Sequence, residues 1–370
     1  MARVRVIVSL LNKRTQPVDD MADTKNVMGD VRMGFEFESV ETETHRSGTW
    51  YKDSDGYYYW GGGLKEINGM ESSAKIPFDP NKMSWGHKWY DIPFVWDNLQ
   101  TKGKGITVAV IDTGVDRTHP DLIGNIHPLS KSFIGDITDN DGHGTNMAGI
   151  IGAGGNSLVY GIAPEVKLLI VKAAENVRGA DPKLFASALN YVTGIPEVDI
   201  VSISNGFFVD DPDLKTAIQN CISAKKIIVA AIGNGRDIIG KPDGPDDDTF
   251  PACYDNIIAI GAFDQQGQIC NFSNWNEHLA FLAPGDYSVL TTGINHTAMM
   301  GAGTSIATAF TAGSLALLLS YAKDQNLLPL DCLQAVLNTC DDIGNAIGKD
   351  IQSGNGRMNL RNAVAKLKKP

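Results

Sequence analysis

The chain has 370 residues, of which 43% are hydrophobic and 20% charged, with a formal net charge of −11. That length supplies one large domain plus a small one, and the composition is that of a globular chain with ample core material. An acidic balance of this size argues against nucleic acid or an anionic membrane as the main partner, and no apolar run reaches the length of a membrane span.

The first stretch, MARVRVIVSLLNKR, is apolar only briefly, because Asn12, Lys13 and Arg14 end the run too early for a secretory signal. The reading leans towards the cytoplasm, with a secreted or periplasmic location left open if a signal has been removed. Cys221, Cys253, Cys270, Cys332 and Cys340 are five in number, so at least one is unpaired within the chain. Cys332 and Cys340 lie in what reads as one helix, about 12 Å apart by rise per residue and too far for a disulfide.

Residues 1–77 carry short alternating stretches (Val4–Val8, Gly34–Val40, Thr49–Lys52 and Tyr57–Trp60) separated by Asp, Asn and Gly. This predicts a small all-β domain with a hairpin turn at Asp55-Gly56. LNKRTQP near its start, and WYKD and GYYYWGGGL near its end, resemble a bacterial SH3-like domain. Its aromatic residues read either as a peptide-binding groove or as core, and the domain is a candidate binder of a peptide or of the domain that follows it. Residues 78–100, rich in Pro and Trp, read as a linker lying on the domain that follows.

From residue 101 to 370 the pattern changes. Apolar β-branched runs at Ile106–Ile111, Val166–Val171, Asp199–Ile203, Ile227–Ile232 and Asn256–Ile260 alternate with helical patterns at Pro182–Thr193 and Asp213–Lys225. Continuous apolar strands between helices predict an α/β fold whose mostly parallel sheet is covered on both faces. Ligands of such sheets sit beyond the carboxyl ends of strands. Asp112, Asn205-Gly206 and Gly233-Asn234 each follow a run, so polar groups converge on one edge. The stretch Gly301–Ser320 predicts a buried helix capped by Thr304 or Ser305, with a serine beside free N–H groups at its positive end.

Three motifs carry chemistry. Asp112 lies in VAVIDTGVD, His143 in DNDGHGTNMAGIIGA and Ser305 in GTSIATA. Each alone has a structural reading: a cap, a core histidine, a helix start. Together they match a nucleophile, a base and an orienting carboxylate, and the order Asp–His–Ser is that of subtilisin.

On these motifs residues 85–370 resemble the subtilisin-like serine proteases, and the three-layer α/β fold is implied with them. The resemblance makes Ser305 the nucleophile, His143 its base and Asp112 the orienting group, so the expected activity is peptide-bond hydrolysis by a serine endopeptidase. AAIGNG resembles the family segment whose asparagine forms the oxyanion hole, here Asn234. SISNG resembles the strand that pairs with substrate, which implies Ser204, Asn205 and Gly206, with Ala231 and Gly233, as substrate-binding residues. No cofactor is implied for catalysis, and the expected partner is a protein or peptide, with no nucleic acid and no membrane. The alternative is a catalytically silent scaffold whose SH3-like domain binds a partner.

The pattern departs from the family at Asn146, where a second histidine is usual, and at Ala309 or Phe310, where a proline is usual. Asp121 and Asn156 fall where many relatives bind a structural calcium, in a loop about one residue short, so calcium or a solvated loop are both open. The acidic run with Asp243, Asp246, Asp247 and Asp248 reads as a solvated loop or, through Asp247 or Asp248, as a wall favouring a basic P1 side chain.

Overall fold

The computed structural model describes residues 2–6, 10–19, 26–32, 36–66, 78–235, 248–344 and 347–368. The chain divides into two compact units, Met1–Lys75 and Ile76–Pro370.

In the first unit β1 (Ala2–Val6), β2 (Leu10–Arg14), β3 (Val27–Arg32), β4 (Glu36–Ser39), β5 (Glu41–His45), β6 (Gly48–Lys52), β7 (Tyr58–Trp60) and β8 (Leu64–Glu66) pair antiparallel. They form two sheets, of order β4-β1-β8 and β3-β2-β7-β6-β5. Among the described residues this unit is β apart from one short 3-10 turn at Gly61–Gly63. The β6–β7 connection folds as expected at Asp55-Gly56: Asp53 Oδ1 accepts the Asp55 and Tyr57 amides, and Gly56 takes φ 87°. Trp50, Tyr58 and Tyr59 are buried, so these aromatics are core, whereas Tyr51, Tyr57 and Trp60 are half-buried. β2, β3, β5 and β8 are strands that the alternation did not mark, and the expected positions Ile7, Val8, Gly34 and Phe35 lie outside the described residues.

The second unit is built on seven parallel strands: β9 (Thr107–Asp112), β10 (Lys131–Ser132), β11 (Lys167–Lys172), β12 (Val198–Ile203), β13 (Ile227–Ala231), β14 (Ile258–Phe263) and β15 (Leu279–Pro284). Their order is β10-β11-β9-β12-β13-β14-β15. The direction of winding reverses at β9, with β11 on one side and β12 on the other, so a switch point opens at the carboxyl end where Asp112 stands. All six residues of β9 and of β14 are buried, as strands covered on both faces must be.

Helices cover both faces. α3 (His143–Gly152) and α6 (Thr304–Asp324) pack within one apolar cluster, and α4 (Pro182–Thr193) and α5 (Pro212–Ser223) within the other. The antiparallel hairpin β16 (Val289–Gly293) and β17 (Thr297–Gly301) leads into α6, and α7 (Pro329–Leu337) and α8 (Leu360–Leu367) close the unit. Among the described residues α6 is the one helix long and apolar enough to cross a membrane, and 94% of its apolar window is buried as a core helix.

The region expected to be a linker is two helices, α1 (Trp85–Trp89) and α2 (Ile92–Leu99), within the second unit. Trp96 is fully buried there and donates its Nε1–H to Ile162 O at 2.9 Å. Phe310, one of the two positions (with Ala309) where relatives usually carry a proline, packs edge-on against His87 and Tyr90 of this region. Cys340 lies beyond the end of α7 rather than in one helix with Cys332, and all five cysteines are free.

Candidate active site

Asp112 ends β9 and is 1% exposed. Its Oδ1 accepts the Thr113 amide at 2.7 Å and the His143 Nδ1–H at 2.8 Å. Two glycines let these motifs meet: a Cβ on Gly144 would lie 2.3 Å from Gly114 O, so the loop after β9 touches the start of α3 only without side chains.

α3 begins at His143 with Gly142 as N-cap, which has no side chain to bind the free amides. Buried Asp139 does this instead. Its Oδ1 accepts the Gly142 amide at 2.8 Å and the Thr113 hydroxyl at 2.9 Å, and its Oδ2 accepts the Thr145 amide and hydroxyl at 2.8 and 2.7 Å. Thr113 in turn accepts the Gly144 amide at 2.8 Å. Asp139 therefore ties the aspartate loop to the histidine helix. The sequence reading missed it, although an Asp four residues before His143 at a helix start was the available signal.

Burial pulls the His143 imidazole down, but the Asp112 carboxylate, its hydrogen bond, and the nearby charges of Asp141 and Asp139 outweigh it. The net direction is above the ordinary 6.5. About a fifth of the His143 side chain (19%) stays exposed, enough to reach a substrate.

Ser305 is the second residue of α6, and the cap is Gly303 rather than Thr304 or Ser305. Gly303 has φ 136°, and its amide donates to Gly285 O at 2.8 Å. Ser305 sits at the positive end of a 21-residue helix, where negative charge is stabilised. Its hydroxyl donates to Ser204 O at 3.1 Å, and the Ser204 hydroxyl donates to Ser305 O at 3.2 Å.

Asn234 is exposed just beyond β13. Its Oδ1 accepts the Thr304 amide at 2.8 Å and the Thr304 hydroxyl at 2.9 Å. Because both partners donate, the amide orientation is fixed and the Nδ2 donors remain for another group. Thr304, read from sequence as a cap, is thus the residue that aims Asn234.

The other expected residues stand at neighbouring strand ends. β12 and β13 are adjacent and parallel, which places Ser204, Asn205 and Gly206 beside Ala231 and Gly233. Asn205 is buried, and its Oδ1 has no partner among the described residues. A Cβ on Gly206 or Gly233 would meet Thr249 at 3.5 or 3.4 Å, so Thr249 stands between the two segments. Asp243, Asp246 and Asp247 lie outside the described residues, and Asp248 is exposed.

Asp121 and Asn156 do come together, but not as a calcium site. The Asp121 carboxylate accepts the amides of Ser157, Leu158 (2.8 Å) and Val159 (3.0 Å), and Asn156 donates its Nδ2–H to Pro120 O at 3.2 Å. The loop presents donors where calcium needs six or more oxygens, so this set does not fit the ion. Asn146, in place of a second histidine, lies on α3 and its carbonyl accepts the Thr291 hydroxyl at 2.7 Å.

A parallel α/β sheet with serine, histidine and aspartate at its carboxyl edge, beside an oriented amide, is the framework of a serine peptidase. Residues 103–356 match the peptidase S8 domain described as the Subtilase family. The chain belongs to that family. It is 36% identical over 255 residues to the "Major intracellular serine protease" of Bacillus subtilis (strain 168), covering 66% of this chain and 78% of the relative. It is 30% identical over 301 residues to "Thermitase" of Thermoactinomyces vulgaris, covering 78% and 99%. Among solved structures, "Structure of Prenylagaramide maturation protease PagA" matches with TM-score 0.64 and 29% identity, covering 75% of this chain and 98% of that one.

Proposed function

We propose that Ser305, His143 and Asp112 carry the chemistry of this subtilisin-like serine endopeptidase. The observation that supports these roles most is the 2.8 Å contact of His143 Nδ1 with Asp112 Oδ1. It fixes the tautomer with the proton on Nδ1, which leaves Nε2 free to accept a proton from serine.

In this reading the Ser305 hydroxyl, which donates to Ser204 O at rest, turns to His143 Nε2 for attack. The oxygen adds to the peptide carbonyl as its proton passes to His143, and Asp112 stabilises the imidazolium. The resulting oxyanion takes hydrogen bonds from Asn234 Nδ2 and the Ser305 backbone N–H. His143 then returns the proton to the leaving amine, and water hydrolyses the acyl-enzyme by the same relay. Catalysis needs no cofactor.

Substrate pairs as an added strand along Ser204–Gly206, with Ala231 and Gly233 facing it across the cleft. The N-terminal all-β unit is a candidate SH3-like module for a peptide or for the protease domain. A cytoplasmic residence agrees with the names of the intracellular relatives from Bacillus subtilis and Paenibacillus polymyxa.

Peptidase assays of Ser305→Ala, His143→Ala and the double variant test the roles. Groups acting as one unit give a double variant no slower than the worse single one. Multiplying losses would show that they act separately.

A further inference from the structure

A second cluster of reactive side chains lies outside the triad. Asp248, Cys253 and His278 bring a carboxylate oxygen, Sγ and a ring nitrogen within 4.8 Å of one another. The Cys253 thiol donates to Asp248 Oδ1 at 3.6 Å. Asn276, 1% exposed, organises the other two: its Nδ2–H donates to Cys253 Sγ at 3.4 Å, and its Oδ1 accepts the His278 amide at 3.0 Å. One buried amide thus fixes the sulfur and the histidine backbone, as groups around metal ligands do.

Burial, with the Asp248 charge, pushes the Cys253 thiol up to about 11, against opposing hydrogen bonds from Thr249 and Asn276. Left to itself the sulfur stays protonated at neutral pH and is a poor nucleophile. A cation would reverse this.

We propose that Asp248, Cys253 and His278 bind one divalent cation of the zinc class, with water completing four-coordination. Mixed thiolate, imidazole and carboxylate ligands suit such a borderline-soft ion, whereas calcium takes oxygens alone. Binding replaces the S–H bond with a sulfur–metal bond and releases that proton to solvent, with no change of oxidation state.

The site is coupled to the substrate cleft by chain connectivity. Asp248 precedes Thr249, whose side chain stands between Gly206 and Gly233, and the Cys253 amide donates to Thr249 O at 3.0 Å. The ion clamps this turn and so stiffens one wall of the cleft. That consequence rests on the peptidase reading; the binding does not.

The test uses full-length Ser305→Ala, which cannot digest itself, after treatment with a chelator. Cobalt(II) is titrated optically and displaced with zinc. One equivalent with a thiolate-to-cobalt charge-transfer band is expected, with the band lost in Cys253→Ser. His278→Gln, which keeps the thiol, should bind at least roughly tenfold more weakly while far-UV circular dichroism is unchanged. No cobalt or zinc uptake at micromolar metal, a band persisting in Cys253→Ser, or unaltered affinity in a folded His278→Gln would overturn the site. Because Ser305→Ala is used throughout, these outcomes are independent of the peptidase reading.

Discussion

The two units spend their residues differently. The second buries whole strands of Val, Ile, Leu and Ala between helical layers, and every pairing in its main sheet is parallel. Among its described residues the first folds eight short antiparallel strands around two small clusters, one on Val4, Val6, Leu11, Tyr59 and Leu64, the other on Val18, Trp50 and Tyr58. A doubly covered parallel sheet is stiff and leaves its strand ends as fixed platforms, and all the proposed catalytic groups stand on such ends or on helix starts beside them. That is where atoms can be held to the tolerance catalysis demands.

The largest expected effect is on the platform. Ser305→Ala should cut turnover about a millionfold, by analogy with the value known for subtilisin, a member of the same family. Residual activity near the parent level would place the nucleophile elsewhere. Asp112→Asn should cost about ten-thousandfold, and the pH profile carries further information. His143 works only when neutral, so activity falls as pH drops through its raised value. Removing the Asp112 charge leaves burial dominant, which lowers that value and moves the acid limb of kcat/KM to lower pH. An unmoved limb would contradict the contact's role. Asn234→Ala should slow turnover by roughly two to three orders of magnitude, a range also taken from subtilisin, with KM little changed.

Stability predictions separate the platform from its supports. Trp96→Ala should cost about 3–5 kcal/mol in denaturant unfolding of the larger unit. A cost below about 1 kcal/mol would return residues 78–100 to the status of a surface linker. His87 gives a smaller, pH-dependent effect. Burial holds this fully buried imidazole down at about 4, against ordinary 6.5, despite backbone contacts near Gly161 and Tyr160. A depressed value means that stability is complete above about 6.5 and is lost as pH falls towards 4, by about 3 kcal/mol over the whole span. Thermal melts of Ser305→Ala with and without His87→Gln should show the shallower acid slope in the protein that carries His87→Gln. Equal slopes would assign the acid loss to other groups.

The same contrast explains what could be read from sequence. β9, β11, β12, β13 and β14 were legible within a few residues because burial on both faces leaves continuous apolar runs. α4 was legible because Pro182 and the 3.6-residue spacing mark it. Asp112, His143 and Ser305 stood out as the proposed triad because each sits in its own glycine-flanked motif. β5, ETETH, has no apolar residue to alternate, so only its pairing with β6 makes it a strand. α1 and α2 were hidden because Pro93 and the tryptophans look like linker chemistry until their burial is seen. Thr304 and Thr249 act through tertiary contacts spanning many residues, as does the Asp139 bond to Thr113, and no local pattern encodes these. At Asp121 the loop length was visible in the sequence, but the direction of the Ser157, Leu158 and Val159 amides was not.

The most direct measurement is labelling of the full-length protein with a fluorophosphonate probe, followed by peptide mapping. Stoichiometric modification at Ser305, abolished in Ser305→Ala and strongly slowed in His143→Ala, is the predicted result. Failure of the native protein to label, or labelling that survives Ser305→Ala, would contradict a serine nucleophile at the start of α6.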